Sequence, residues 1–177
     1  MNDLRVRETY NAIANDFDRT RYAMWPCMKR FYDQYEHGFI LDVGCGNGKN
    51  VVPEDAAWYE LCDLSDSFVQ MCKTRFGESG ICQVNASALP YRDSVFDTVI
   101  SVAVLHHLDS FNKRLHMLNE MIRVCKKNGR VFFTVWAADS ACDRMIPWKD
   151  VKSQQTYMRF YHLFDKSEIH RLVRSAN

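Results

Sequence analysis

A glycine-rich stretch sets the architecture predicted for this chain: Leu41-Asp42-Val43-Gly44-Cys45-Gly46-Asn47-Gly48-Lys49. It continues the apolar run 39–43, which reads as a buried strand, so the glycines form the turn that leaves the strand. Glycines in such a turn let a ligand approach the backbone closely. The spacing is Gly-x-Gly-x-Gly, whereas a dinucleotide fingerprint would place its third glycine where Lys49 stands. The stretch also does not match the sequence pattern of a phosphate-binding loop.

Four further apolar runs predict strands, with amphipathic stretches between them. The strands are expected at 58–63, 81–84, 96–102 and 130–136. Two of the intervening stretches begin at residues that can cap a helix: Ser65 for the first, and Asp109 or Ser110 for the second, which Asn128-Gly129 is predicted to end. The alternation predicts an α/β, Rossmann-like fold whose mostly parallel sheet carries helices on both faces.

The two ends of the chain are predicted to be helical. We expect one domain over 1–177, with an N-terminal helical cap over 1–37 and the Rossmann-like core over 38–177. The connection after the first strand carries Pro53, so a helix there should span only a turn or two. A helix is also expected over 165–176, where such sheets often continue into a hairpin. We expect either that this form lacks the C-terminal hairpin or that the sequence is truncated before it.

The composition is that of a globular protein. Hydrophobic residues make up 47% of the 177 and charged residues 25%, which argues against disorder. No apolar run is long enough to cross a bilayer and the N-terminus is polar, so no membrane partner is expected. The seven cysteines are scattered without a Cys-x-x-Cys pair, so neither a metal site nor a disulfide framework is predicted. These features favour a reduced, intracellular protein.

Charge is unevenly distributed although the net charge is only +1. Residues 31–110 hold four Lys/Arg against twelve Asp/Glu, and residues 111–177 hold thirteen against six. The acidic middle suits a cationic ligand. The basic C-terminal third either contacts an anionic partner such as nucleic acid or solvates a helix face.

Polar residues at the ends of the next two strands indicate what the glycine turn binds. Asp63 ends the second strand, where a carboxylate can accept hydrogen bonds from two ribose hydroxyls. Asn85 follows the third, where its side-chain oxygen can accept from an adenine amino group. Together they fit the adenosine of a cationic sulfonium cofactor. The predicted cofactor-binding residues are Asp42, Gly44, Cys45, Gly46, Gly48, Asp63, Leu64, Asn85, Ala86 and Ala103.

The glycine motif and the later strands, over about 39–136, resemble the class I S-adenosylmethionine-dependent methyltransferases. Four segments narrow the resemblance: 10–26 with Thr20-Arg21 and Trp25-Pro26, then 42–49, 100–107 and 159–164. In this order they resemble the eukaryotic tRNA wobble-uridine carboxymethyl methyltransferases, over nearly the whole chain. One departure is Asn85, where that family usually has Asp. The resemblance implies transfer of a methyl group from S-adenosylmethionine to the carboxylate of 5-carboxymethyluridine at the wobble position of tRNA.

The chemistry of the implied reaction indicates candidate residues on the substrate side. A carboxylate is already ionised at neutral pH, so the enzyme has to position and desolvate it rather than deprotonate it. Arg21 is predicted to hold the carboxylate or a neighbouring phosphate, unless it pairs with Asp16 or Asp18. His106 and His107, after the fourth strand, are predicted to contact the base or to tie down the loop. The residues predicted to line the substrate pocket, with plain core packing as the alternative, are Tyr10, Trp25, Tyr161 and His162.

Partners and location follow from the same resemblance. It implies tRNA as substrate and a heterodimer with a small zinc-binding activator subunit that carries any zinc. The predicted location is cytoplasmic, with the nucleus as an additional site. Three alternatives stay open at this point. They are a class I methyltransferase acting on a small molecule or a protein, a non-enzymatic module of the same fold, and a nicotinamide oxidoreductase, which Lys49 disfavours.

Overall fold

The structure, a computed structural model, describes residues 3–51 and 58–176. The short helix predicted near Pro53 lies outside the described residues. Within them, a parallel sheet has the strand order β3-β2-β1-β4-β5, and a separate antiparallel pair is formed by β6 and β7. The strands are β1 Phe39–Val43, β2 Trp58–Asp63, β3 Ile81–Gln83, β4 Phe96–Val102, β5 Cys125–Thr134, β6 Cys142–Lys149 and β7 Thr156–Leu163. The helices are α1 Asp3–Thr20, α2 Pro26–Gln34, α3 Asp66–Phe76, α4 Phe111–Val124 and α5 Lys166–Ser175.

The five-stranded sheet confirms the predicted α/β fold with helices on both faces. Side chains alternate along β1, so Ile40 packs in a cluster with α2 whereas Leu41 packs in the cluster that holds α4 and Leu172 of α5. Strands are added on one side of β1 up to β3 and on its other side from β4 onward, because β2 and β4 both pair with β1. A ligand is therefore expected in the crevice at the carboxyl ends of these strands.

The helix starts follow the predicted caps. Ser65 accepts a hydrogen bond at 3.3 Å from the backbone N–H of Phe68, and Ser110 rather than Asp109 caps α4 by accepting from Lys113 at 3.3 Å. In the N-terminal part, α1 and α2 are separated by residues 21–25. The division of the chain at residue 37 stays a prediction.

The predicted end of α4 was wrong. α4 ends at Val124, and Asn128-Gly129 lies inside β5, which begins one residue later at Cys125. Cys125 pairs with Phe96 but the next pairing is Arg130 with Thr98, so the extra residues of β5 form a bulge. A Cβ on Gly129 would lie 2.6 Å from the carbonyl oxygen of Asp97, so this glycine permits a close approach of two strands rather than a helix end.

The β6–β7 hairpin was not predicted. Trp148 of β6 stacks on Phe17 of α1 with ring centroids 5.7 Å apart, and its indole N–H donates to Asp16 at 3.1 Å. The hairpin thus packs against α1 and lies over the carboxyl ends of the parallel strands. α5 follows it, and among the residues described, up to 176, no strand follows α5.

Candidate active site

A cavity of about 190 Å³ lies at the carboxyl ends of β1, β2, β3 and β4, under α1 and the β6–β7 hairpin. Its walls come from every part of the chain that the sequence singled out. Most of the predicted site residues line it: Tyr10, Arg21, Trp25, Gly44, Cys45, Gly46, Asp63, Leu64, Asn85, Ala86, Ala103, His107 and Tyr161. The lining does not include Asp42, Gly48, His106 or His162.

The glycine loop and Asp63 form one wall of the cavity. Gly46 has φ +54°, and a Cβ built on it would meet only Phe17, at 3.9 Å, so its side of the loop is open. One Asp63 oxygen accepts the Gly46 N–H at 2.8 Å and the other accepts the Ser65 N–H at 2.9 Å. Burial raises the pKa of Asp63, and these backbone donors oppose that shift. Each oxygen keeps a free lone pair, so the carboxylate can also accept from two ribose hydroxyls.

Asn85 lies at the exposed rim of the cavity. Its Oδ1 accepts the Ser87 N–H at 3.0 Å, and its Nδ2 donates to the carboxylate of Asp3 at 2.8 Å. The oxygen predicted to accept from adenine is therefore shared with a local turn, which leaves one lone pair for a ligand. Asp3 also lines the cavity and was missed, because nothing in the sequence links the start of α1 to the end of β3.

Gly48 and Asp42, which were predicted as cofactor contacts, lie outside the cavity lining and support the loop from behind. A Cβ on Gly48 would lie 2.5 Å from the Phe76 ring, so this glycine lets the loop pack tightly on α3. The Asp42 carboxylate is fully buried; one oxygen accepts from Asn50 at 3.2 Å and the other has no partner among the described residues. Burial raises the pKa of Asp42 to about 7.

Tyr10 and His107 form a neutral hydrogen-bonded pair in the cavity wall. His107 Nδ1 lies 2.8 Å from the Phe160 carbonyl oxygen, which can only accept, so Nδ1 carries the proton. Nε2 then accepts from the Tyr10 hydroxyl at 2.7 Å. Burial lowers the pKa of His107 to about 4 and raises that of Tyr10 well above its usual value. Neither group is therefore charged at neutral pH.

His106 packs behind this wall and is not brought into the cavity. It is completely buried and stacks on Tyr161, with ring centroids 4.5 Å apart and an 18° angle between the planes. Burial lowers its pKa well below the usual value, and neither ring nitrogen has a partner among the described residues. Its predicted catalytic role finds no support in this position, because Tyr161 and His107 separate it from the space that a substrate would occupy.

His162, which was predicted to bind substrate, faces away from the cavity and is not part of its lining. Neighbouring residues of a strand point to opposite sides, and Tyr161 takes the side that faces the cavity. The His162 ring lies between carboxylate oxygens of Asp143 and Glu168, each 2.6 Å away. Glu168 also pairs with the buried Arg114 at 2.9 Å, so His162 joins the hairpin to α5 and α4.

Three cations line a further part of the cavity, and none forms an ion pair with a carboxylate in residues 3–51 and 58–176. The guanidinium groups of Arg21 and Arg159 lie over the Trp148 ring, 5.2 and 4.8 Å from its centroid. Lys49 lies over Trp25 at 5.1 Å, and burial and the nearby Arg21 lower its pKa.

The predicted alternative for Arg21, an ion pair with Asp16 or Asp18, was wrong. Asp16 pairs with Arg19 at 2.7 Å, and Asp18 pairs with Arg75 at 3.1 Å. Lys49 and Arg159 were not predicted as site residues. The available signals were that Lys49 stands in the glycine stretch and that Arg159 begins a segment used for the family resemblance.

Comparisons with known proteins agree with this geometry. Residues 41–133 match the family described as a methyltransferase domain. The chain is 40% identical over 135 residues to an Arabidopsis thaliana tRNA (carboxymethyluridine(34)-5-O)-methyltransferase, covering 76% of this chain and 33% of that protein. It is 30% identical over 203 residues to the Schizosaccharomyces pombe protein of the same name, covering 97% of this chain and 87% of that one.

Two solved structures share the fold at low sequence identity. An S-adenosylmethionine-dependent methyltransferase from Methanosarcina mazei has a TM-score of 0.68 and 19% identity, over 86% of this chain and 84% of its own. The second is part of a complex that contains the Trm112 methyltransferase activator of Haloferax volcanii. It has a TM-score of 0.59 and 18% identity, over 70% of this chain and 58% of its own.

Sheet order, glycine loop and the Asp63 carboxylate define a class I methyltransferase, and its cofactor is S-adenosylmethionine. The open side of Gly46 and the free lone pairs of Asp63 fit the adenosyl group. More narrowly, the chain belongs to the tRNA (carboxymethyluridine(34)-5-O)-methyltransferase family. It spans about a third of the length of the Arabidopsis relative. This membership contradicts the oxidoreductase alternative.

Two further findings concern the described part of the chain. No group of three or more His, Cys, Asp or Glu side chains in residues 3–51 and 58–176 is arranged to hold a metal ion. In the same residues, no helix has both the length and the apolar character that crossing a bilayer requires.

Proposed function

We propose that this protein transfers a methyl group from S-adenosylmethionine to the carboxylate of 5-carboxymethyluridine at the wobble position of tRNA, forming the methyl ester. The observation that carries the proposal is the group of three cations without ion-pair partners in the described cavity wall: Arg21, Lys49 and Arg159. Such a group favours an anionic substrate. The names of the relatives, at 40% and 30% identity, support the same substrate.

The residues of the cavity suit this reaction. S-adenosylmethionine, when bound, supplies an electrophilic methyl group on a positively charged sulfur. Asp63 orients the ribose next to the glycine loop, and the cations orient the carboxylate. Tyr10 and His107 are neutral, so they line the pocket without taking a proton from a nucleophile that carries none at neutral pH. The aromatic walls exclude water, and this favours a transition state in which the opposite charges of the reactants are being neutralised.

The direct test is the transfer of tritiated methyl groups to tRNA that carries 5-carboxymethyluridine. We expect labelling of this tRNA and none of tRNA that lacks the carboxymethyl group. Arg21→Ala should reduce transfer while cofactor affinity stays near that of the wild type. Labelling of proteins or small molecules in an RNA-depleted extract, with no labelling of the modified tRNA, would instead favour the alternative methyltransferase activities.

We also propose a heterodimer with a small zinc-binding activator subunit. The related fold in the Haloferax volcanii complex with the Trm112 activator supports a partner of that class. Large apolar side chains are exposed outside the cavity, among them Trp58 at 80% and Tyr22 at 79%. Co-expression with the activator should increase the soluble, active yield, and full activity of the lone chain would refute the need for a partner. A cytoplasmic or nuclear location is part of the proposal, and imaging of a fluorescent fusion tests it.

A further inference from the structure

Arg159 is a partly buried cation whose donors are only partly used. Its Nη1 donates to the Tyr161 hydroxyl at 2.9 Å, while its Nε is buried and has no partner among the described residues. Nε is enclosed by protein, so a ligand in the cavity can reach only the terminal nitrogens of Arg159. Nη2 donates to no residue in the described part of the chain, and a bound ligand can supply its acceptor.

The surroundings of Arg159 indicate the charge of that ligand. Its guanidinium shares the Trp148 ring with that of Arg21, and two like charges so close to one indole repel each other. The positive charge of Arg159 adds to the lowering of the His107 pKa that burial causes and opposes the rise of the Tyr10 pKa, so it acts directly on the neutral wall of the cavity. An anion beside Arg159 would relieve the repulsion and lie against that wall.

The two arginines differ in exposure, and this separates their roles. Arg21 is exposed at the end of α1, and its Nη1 donates to the Thr20 carbonyl at 3.1 Å. Arg159 projects from β7 between Trp148 and Tyr161, with its guanidinium 4.8 and 5.2 Å from their ring centroids. An inner and an outer guanidinium suit an RNA substrate that inserts one carboxylate-bearing base and leaves its phosphates outside.

We propose that Arg159 binds the substrate carboxylate directly, through the N–H groups of its two terminal nitrogens, while Arg21 at the mouth binds a phosphate of the same RNA. This inference rests on the proposed function and deepens it. A planar fork of two N–H donors matches a carboxylate, whereas the uncharged ester product offers weaker acceptors. Arg159 therefore selects the carboxylate over unmodified uridine and favours release of the ester.

The kinetic consequence follows from how charge changes during the reaction. The carboxylate loses its negative charge as the new O–CH₃ bond forms, so Arg159 interacts more strongly with the bound substrate than with the transition state. An interaction of this kind lowers KM and does not raise kcat. Loss of Arg159 is thus expected to appear mainly in KM.

The experiment measures turnover and binding with the complete chain and its activator. Arg159→Ala should raise KM for tRNA carrying 5-carboxymethyluridine about 10- to 100-fold, with kcat within about threefold, as expected for loss of hydrogen bonds to a charged group. Arg159→Lys keeps the positive charge but lacks the fork of N–H donors, so its KM should lie between those of the wild type and Arg159→Ala. Arg144→Ala is the matched control, because Arg144 is exposed on the same hairpin and is not part of the cavity lining. The affinity for S-adenosylhomocysteine should stay unchanged in all three variants, which verifies that the cofactor site is intact.

A binding assay separates this inference from the proposed function. In the presence of S-adenosylhomocysteine, the wild type should bind an anticodon stem-loop with 5-carboxymethyluridine more tightly than the same stem-loop with the methyl ester. Arg159→Ala should lose this preference but keep the salt dependence of binding, whereas Arg21→Ala should keep the preference and lower the salt slope by about 0.7–0.9, the value for one phosphate.

The possible results are distinct. Equal binding of acid and ester by the wild type, or an unchanged KM and preference in Arg159→Ala, would overturn the inference even if methyl transfer to tRNA is observed. If Arg159→Ala does not fold, an unchanged KM and preference in Arg159→Lys, which lacks the fork, would overturn it equally. A wild type that prefers the acid but transfers no methyl group supports the carboxylate site and refutes the proposed function.

Discussion

Removal of the Asp63 carboxylate should weaken cofactor binding more than any other single change in the cavity. Its two oxygens hold the backbone N–H groups of Gly46 and Ser65, at 2.8 and 2.9 Å, and retain one lone pair each for the ribose. Asp63→Ala therefore removes the ribose acceptors and at the same time releases the glycine loop from the start of α3. Asp63→Asn keeps one oxygen, but its amide must face either Gly46 or Ser65, which are both donors.

The size of the effect follows from the number of bonds. A hydrogen bond to a charged group contributes about 1.5–3 kcal/mol, so losing two ribose bonds costs about 3–6 kcal/mol of binding free energy. At 1.4 kcal/mol for each factor of ten, Asp63→Ala should raise the Kd for S-adenosylhomocysteine about 10²- to 10⁴-fold. Asp63→Asn keeps one acceptor, so its effect should be about 10- to 100-fold.

Isothermal titration calorimetry at neutral pH measures these constants, with thermal melting to verify folding. Asp66→Asn is the control, because Asp66 also lies near the start of α3 but pairs with Arg7 at 2.6 Å and is absent from the cavity lining. Its Kd should stay within about twofold of the wild type. If folded Asp63→Ala binds S-adenosylhomocysteine within about threefold of the wild type, the carboxylate does not hold the ribose and the placement of the adenosine is wrong.

Three further predictions concern stability. Asp42→Asn should flatten the pH dependence of the free energy of unfolding. The pKa of Asp42 in the folded protein is raised to about 7, so the wild type loses up to about 4 kcal/mol of stability as pH rises from about 4 to 7. Equal pH slopes in thermal melts of the wild type and the variant would contradict this. Gly48→Ala should cost about 1–3 kcal/mol beyond Gly77→Ala in urea denaturation, because both glycines have positive φ but a Cβ on Gly77 meets nothing within 4 Å; equal costs would remove the packing argument. Tyr10→Phe should lower stability by about 1–3 kcal/mol, because it leaves Nε2 of His107 without its donor, and an unchanged urea midpoint would refute that bond.

The parallel sheet and the glycine loop were predictable because their signals are local. β1, β2 and β4 begin and end where the apolar runs do, and Ser65 caps α3 through a residue three positions away. The end of α4 failed for the opposite reason. Asn128-Gly129 resembles a helix end in isolation, but pairing with β4 draws residues from Cys125 onward into a strand.

The hairpin and its contribution to the site could not be predicted in this way. β6 alternates weakly in polarity, and its position depends on Trp148, whose indole bonds to Asp16 across 132 residues. Without the knowledge that 156–163 is a strand, nothing distinguished Tyr161, which lines the cavity, from His162, which does not. Arg159 was missed for the same reason, because only the strand direction shows that it shares a face with Tyr161.

The two parts of the cavity therefore have different origins, and one side chain connects them. The adenosine part comes from β1, β2 and β3, whereas the cationic part combines the end of α1, Lys49 and the hairpin. Asn47 of the glycine loop donates to Asp18 at 2.8 Å and to the Arg21 carbonyl at 3.0 Å, so the loop that would hold the cofactor also fixes the backbone of the arginine at the mouth. A cofactor held by this loop would therefore contact the same segment that positions Arg21, whereas Arg159, carried by a separate sheet, has no hydrogen bond to the loop in the described structure. It follows that substitutions of the cavity-lining hairpin residues Arg159 and Tyr161 should alter substrate selection at constant cofactor affinity, and that substitutions of Asn47 should change both.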